Sequence, residues 1–119
     1  MSARVAPFEA YAGGVLFRAL EPLRGMEAMA LARDVDISAD WKNLTSGPGR
    51  LAEAFSITRE RDNGKDLTSR LSDLWIADDG YRPERILQTR RIGITKAAEL
   101  PLRYLIAGNR FVSGPKATL

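Results

Sequence analysis

Val15-Leu16-Phe17-Arg18-Ala19-Leu20-Glu21-Pro22-Leu23 is the stretch on which the reading of this chain turns. Apart from one arginine, its first six residues are apolar and partly β-branched or aromatic, the pattern of a short buried strand. Gly13-Gly14 marks a turn before it, and Glu21-Pro22 ends it. Beyond that point Leu23, Met26 and Ala30 recur at helical spacing, with Met29 alongside, so residues 23–34 read as an amphipathic helix. Asp34 to Ser46 is polar and irregular except for Trp41 and Leu44. Ser46-Gly47-Pro48-Gly49 then signals a second helix, because proline fits the first helical position, where its missing N–H costs nothing. Leu51 and Phe55, four residues apart, fall on one face of it.

The second half reads as turns and strands. Asp62-Asn63-Gly64 is a turn signal. Leu74-Trp75-Ile76-Ala77 reads as a strand closed by Asp78-Asp79-Gly80. Ile86 to Ile94 reads as another, with Arg90 and Arg91 set among β-formers near a functional surface. Leu102 to Ala107 reads as a last strand between Pro101 and Gly108-Asn109. The order β-α-α-β-β-β makes the expected class α+β, a single domain over residues 1–119 with a mixed or antiparallel sheet.

Composition narrows the chemistry. The chain has 119 residues, 45% hydrophobic and 28% charged, an ordinary balance for a globular domain. It has no cysteine and no histidine, which excludes disulfides, thiolate metal sites and the usual imidazole proton shuttle. Acid–base work therefore falls to carboxylates, tyrosine or lysine. Met1 to Pro7 holds no long apolar stretch and no run reaches membrane-spanning length, so a cytoplasmic location without a membrane partner is expected. The net charge is +3, with fourteen arginines against four lysines. That bias suits a phosphate-bearing partner, because the guanidinium fork matches phosphate, and it equally suits a high-GC genome. Gly47-Pro48-Gly49-Arg50, at a helix N-terminus, has the free N–H groups to bind an anion or simply to be capped.

Several segments match one family in order and spacing. Val15 to Leu23 is similar to the valine-leucine-arginine-alanine-leucine-glutamate-proline stretch of the 3-methyladenine (alkyladenine) DNA glycosylases. Ser46 to Leu51 resembles their serine-glycine-proline helix start, and Asn63 to Thr68 resembles a turn of the bacterial members. Arg91 to Lys96, Pro101 to Tyr104, Gly108-Asn109 and Phe111-Val112-Ser113 resemble their closing strands. The likeness runs from about Gly14 to Gly114 and covers the C-terminal half of the family's fold, a mixed structure around a curved antiparallel sheet.

The resemblance implies base-excision repair of double-stranded DNA. A damaged purine, alkylated or deaminated, is flipped out of the stack, and a carboxylate-activated water attacks the sugar C1′. No metal or other cofactor is implied. Arg18 matches the arginine that helps hold this water, and Ile92 the residue whose backbone carbonyl touches it. From the residues alone, a strand arginine among apolar neighbours needs an acceptor, and an ion pair with Glu21 is the structural alternative. Arg50 and Arg59 match basic positions near DNA phosphates, with solvated surface charge as the alternative. Leu16 matches a position near the base pocket, and is equally a core strand leucine.

In the family a preceding half carries the catalytic glutamate and the aromatic residues that grip the base. Only about fourteen residues precede the matched strand here, so a chain supplying that half is an expected partner. Glu9-Ala10-Tyr11 reads two ways. As the family's glutamate-alanine-tyrosine triplet it makes Glu9 the general base and Tyr11 a wall of the base pocket. As the loop before the strand, it keeps the family spacing to Arg18.

Overall fold

The computed structural model of the chain describes residues 2–5, 13–36, 41–92 and 100–114. It is α+β, with two antiparallel strand pairs and four short helices among the described residues. Strand β1 (Ser2–Val5) pairs with β2 (Gly13–Leu16), Ala3 opposite Val15. Strand β3 (Ile86–Thr89) pairs with β4 (Arg103–Ile106), Thr89 opposite Arg103. Between the pairs lie α1 (Met26–Arg33), α2 (Lys42–Thr45), α3 (Pro48–Ala54) and α4 (Arg59–Asp62). Among the described residues the pairing is antiparallel, in two sheets of two strands.

Packing centres on α1, α2 and α3. Met29, Ala30, Leu44 and Ala54 form one buried cluster with Met26 against it. Leu51 on α3 is the most buried apolar side chain, 1% exposed. Arg33 pins the three helices, donating from Nη1 to the carbonyls of Asn43 and Leu44 while its Nε stands 3.6 Å from Glu53. A cation at the carbonyl end of a short helix also opposes the negative end of its dipole.

The segment after β2 is locked to the entry of α3. The Gly47 N–H donates to the Arg18 carbonyl at 2.8 Å, and Ala19 bridges Ser46. The wholly buried Thr45 hydroxyl donates to the Leu20 carbonyl at 2.7 Å. Gly47 enters the helix at φ 117°, a backbone that a side chain would strain, and Pro48 occupies the first turn as its sequence signal requires. Arg18 is thereby fixed along its main chain before its side chain makes any contact.

Several expectations are corrected. Gly13-Gly14 lies inside β2, opposite Val5 and Arg4, rather than forming a turn. The regular strand stops at Leu16, and over 17–20 the one remaining ladder contact among the described residues is the isolated bridge at Ala19. The first helix starts at Met26, leaving Leu23 71% exposed outside it. Phe55 caps α3 and is exposed rather than sharing a buried face with Leu51. Residues 74–77 form no strand. Ser72 Oγ accepts from the Leu74 N–H at the start of the stretch, and just beyond its end Asp78 Oδ1 accepts from Gly80 and Asp79 Oδ1 from Tyr81. Such local acceptors compete directly with a ladder. Ile76 N–H to the Leu67 carbonyl, 2.7 Å, is the main-chain bond that ties this stretch down. Of the strand expected over 86–94, Ile86–Thr89 forms, and residues 93–94 lie outside the described residues.

Below α4 an ionic knot holds the following loop. The Asp62 carboxylate, 6% exposed, accepts from Lys65 Nζ at 2.6 Å, Arg61 Nε at 3.0 Å and the Thr58 N–H at 3.0 Å. Lys65 also reaches Asp73 at 2.7 Å. The Lys65 ammonium, then Arg61 and the Thr58 amide, hold the Asp62 carboxyl at about 2, below its ordinary 3.8. A carboxyl depressed on folding stabilises the protein above its unfolded pKa, and that contribution fades as pH falls through the folded value. Urea unfolding followed from pH 5 downward is therefore expected to show stability lost between about pH 4 and 2. Asp62→Asn is less stable at neutral pH and has a shallower acid limb over that window.

Candidate functional site

The described residues enclose a cleft of about 730 Å³ between the β2 segment, the start of the loop after β3, and β4 with the turn that follows it. Leu16, Phe17, Ile92, Leu102 and Phe111 give it apolar walls. Arg18, Arg91 and Arg103 line it together with a single carboxylate, Glu21. The charge balance of the lining is thus positive, and apolar walls focus such a field on whatever enters.

Three residues singled out from sequence, Leu16, Arg18 and Ile92, meet in this cleft although they come from opposite ends of the chain. Leu16 is 48% exposed at its rim. Arg18 is half-buried, and its Nε is shut from solvent with no hydrogen-bond partner among the described residues. The Arg18–Glu21 ion pair is not formed among those residues. Glu21 instead accepts from the Asn109 amide at 3.2 Å. A buried guanidinium N–H without a partner is costly, so the cleft as described is ready for an acceptor.

Arg50 and Arg59 lie elsewhere. Arg50 sits exposed on α3 with its Nη1 donating to Asn43 Oδ1 at 3.2 Å, and Arg59 opens α4, also exposed. Neither lines the cleft. Glu9 and Tyr11 fall outside the described residues.

Sequence reasoning missed Arg103. It is 8% exposed, donates from Nη1 to Thr89 Oγ1 at 3.2 Å and from Nη2 to the Ser113 carbonyl at 2.9 Å. Burial first, then the nearby charge of Arg18, pulls its pKa below the ordinary arginine value. The signal was available: an arginine among the apolar residues of Pro101-Leu102-Arg103-Tyr104 carries the same cue that picked out Arg18.

Comparison with known proteins gives this geometry a family. Residues 4–110 match the family described as Methylpurine-DNA glycosylase (MPG). Three relatives bear the name "Putative 3-methyladenine DNA glycosylase". The one from Koribacter versatilis is 57% identical over 105 residues, 88% of this chain and 50% of the relative. That of Mesorhizobium japonicum is 50% identical, covering 87% of this chain and 48% of the relative. That of Bacillus licheniformis is 46% identical, covering 83% and 48%. The chain belongs to the methylpurine-DNA glycosylase family. It spans about half the length of these relatives. No helix among the described residues is long and apolar enough to cross a membrane.

Proposed function

We propose that the chain serves base-excision repair, as the C-terminal half of a glycosylase that flips alkylated or deaminated purines out of duplex DNA and hydrolyses their glycosidic bond. One observation carries this reading: Leu16, Arg18 and Ile92 converge on one positive, apolar-walled cleft. In that cleft the attacking water is held by the Arg18 guanidinium and the Ile92 backbone carbonyl, and Leu16 borders the purine. The buried, unpartnered Arg18 Nε supplies the donor that such a water needs. A carboxylate must take the water's proton as it attacks C1′, and the purine leaves with the electron pair of the broken C–N bond. Among the described residues the cleft's carboxylate is Glu21, which already accepts from Asn109. The base is therefore Glu9, with Tyr11 as a wall of the pocket, or a glutamate on the half of the enzyme not present in this chain.

Arg50 and Arg59 are assigned to DNA phosphates. Both are exposed on consecutive helices, away from the cleft. The double variant Arg50→Ala with Arg59→Ala is expected to weaken duplex binding about tenfold and to flatten log K against log salt by roughly two, about one per phosphate contact. Fluorescence anisotropy at several salt concentrations reads both quantities. An unchanged slope removes the two arginines from the phosphate surface.

A second reading is a split enzyme, or a non-catalytic DNA-binding remnant, whose missing half is a separate chain. The apolar surface left open favours it. Among the described residues five apolar side chains are buried, while Val15, Leu16, Ile86, Leu102 and Tyr104 stand 48–63% exposed beside or on the strands that border the cleft. A complementary half covering them accounts for this surface. Single-turnover release of hypoxanthine or 3-methyladenine separates the readings. Release by the chain alone that vanishes in Glu9→Gln makes it a self-sufficient enzyme. Release only when the other half is added makes it a split one, and binding without release in both makes it a remnant.

A further inference from the structure

Arg103 has no part in the chemistry just described, yet it touches both sides of it. On β4 it is braced across the strand pair by Thr89 Oγ1 and along the following turn by the Ser113 carbonyl. That turn is packed hard against Ile92. A Cβ added at Gly114, φ 78°, would come within 2.5 Å of Ile92 Cδ1 and 3.9 Å of Arg103 Nη2. Ile92, Gly114 and Arg103 thus form one close-packed unit on the cleft wall, and Arg18 faces the same space. Two guanidinium groups sharing an apolar-walled cleft repel each other, and each strengthens the other's attraction for an anion placed between them and the mouth.

We propose that Arg103 is a positioning residue of this cleft: braced by Thr89 and Ser113, it fixes the end of β3 from which the loop bearing Ile92 departs and drives the Arg18 guanidinium toward an incoming carboxylate. The inference deepens the proposed function, on which it rests for the identity of that carboxylate. Its physical content, a carboxylate site at Arg18 tuned by the Arg103 charge, is testable without DNA.

The probe is sodium acetate, titrated into the full chain at constant ionic strength while the Arg18 Nε–H resonance is followed, with thermal unfolding of each variant in parallel. In the wild-type chain the resonance shifts and saturates. Arg103→Gln, which keeps a donor for the Ser113 carbonyl but not the charge, is expected to weaken acetate binding about fivefold or more, and Arg103→Lys to recover most of the loss. Thr89→Val removes one brace and is expected to weaken binding about twofold with little change in melting temperature. If Arg103→Gln does not fold, the lysine and valine variants carry the test. The proposal is overturned by an Arg18 resonance indifferent to acetate in the wild type. It is also overturned by a folded Arg103→Gln that binds as the wild type does, by Arg103→Lys binding no better than Arg103→Gln, or by an unaltered affinity in Thr89→Val. Failure of base release in the assays above leaves this result standing, so the two readings fail separately.

Discussion

Arg18→Met lowers the single-turnover rate of hypoxanthine release about a hundredfold or more, in whichever preparation, the chain alone or the chain with its complementary half, supports release. Methionine keeps the apolar stem and much of the volume while deleting the charge and every donor. The main chain at this position is held independently, by the Gly47 N–H on the Arg18 carbonyl and by the Ala19–Ser46 bridge, so the strand segment survives the substitution. What disappears is the one buried N–H of the cleft that has no partner among the described residues. If Arg18 holds the attacking water, as proposed, removing its donors costs far more in rate than in folding, because the species they stabilise exists only during reaction. Arg18→Lys recovers part of the rate, since it restores a point charge without the planar fork. Equal rates in Arg18→Met and the wild type place the attacking water elsewhere.

Leu51→Ala destabilises the chain by about 3 kcal/mol. The size follows from burial: Leu51 is 1% exposed at the middle of α3, in a described core of five apolar side chains with little redundancy. A cavity there is hard to collapse, because α3 is tied at its start to Arg18 through Gly47 and packs on α1 and α2. The loss is a large share of the stability expected of so short a domain. The same substitution loosens the entry of α3, and so the strand segment that presents Arg18 to the cleft. Urea unfolding by circular dichroism measures the stability. A loss below about 1 kcal/mol indicates that the surroundings close over the gap.

How much of this was legible in the sequence differs from element to element. Ser46-Gly47-Pro48 announced α3 correctly, because a glycine able to adopt φ 117° and a proline without an N–H are demanded by local backbone geometry alone. Asp62-Asn63-Gly64 announced its turn for the same reason, with Gly64 at φ 87°. The helix over Met26–Arg33 was legible from Met26 and Ala30 at helical spacing with Met29 alongside, although Leu23, read into the same pattern, falls outside it. Helix α2, four residues long, carries no period at all, and it exists because Thr45 and Leu44 are buried where α1, α3 and the Leu20 segment meet. The strand expected at Leu74-Trp75-Ile76-Ala77 failed because a strand is a property of a pair. Here no described strand pairs with it: the Leu74 N–H goes to Ser72 Oγ, the Ile76 N–H to the Leu67 carbonyl, and Trp75 and Ile76 remain 47% and 52% exposed. β1 was invisible for the converse reason: Ser2-Ala3-Arg4-Val5 has no strand pattern of its own and forms against β2.

Arg18 and Ile92 were each picked by position in a matched segment, and that both line one cleft is a matter of tertiary structure that no local pattern carries. Arg103 escaped notice because its meaning lies in what surrounds it: Thr89 across the strand pair, Ser113 beyond the turn, and Arg18 from the other end of the chain.

Whether this cleft holds the attacking water of a base-excision site is decided by single-turnover release of hypoxanthine or 3-methyladenine from a lesion-bearing duplex. The assay is made with the folded chain alone, with Glu9→Gln, and with the unmatched half of the Koribacter versatilis relative added. Base release is expected in the complemented mixture, and release by the chain alone only if Glu9→Gln abolishes it. A folded chain that binds the duplex and releases no base, even with that half supplied, contradicts that role for the cleft.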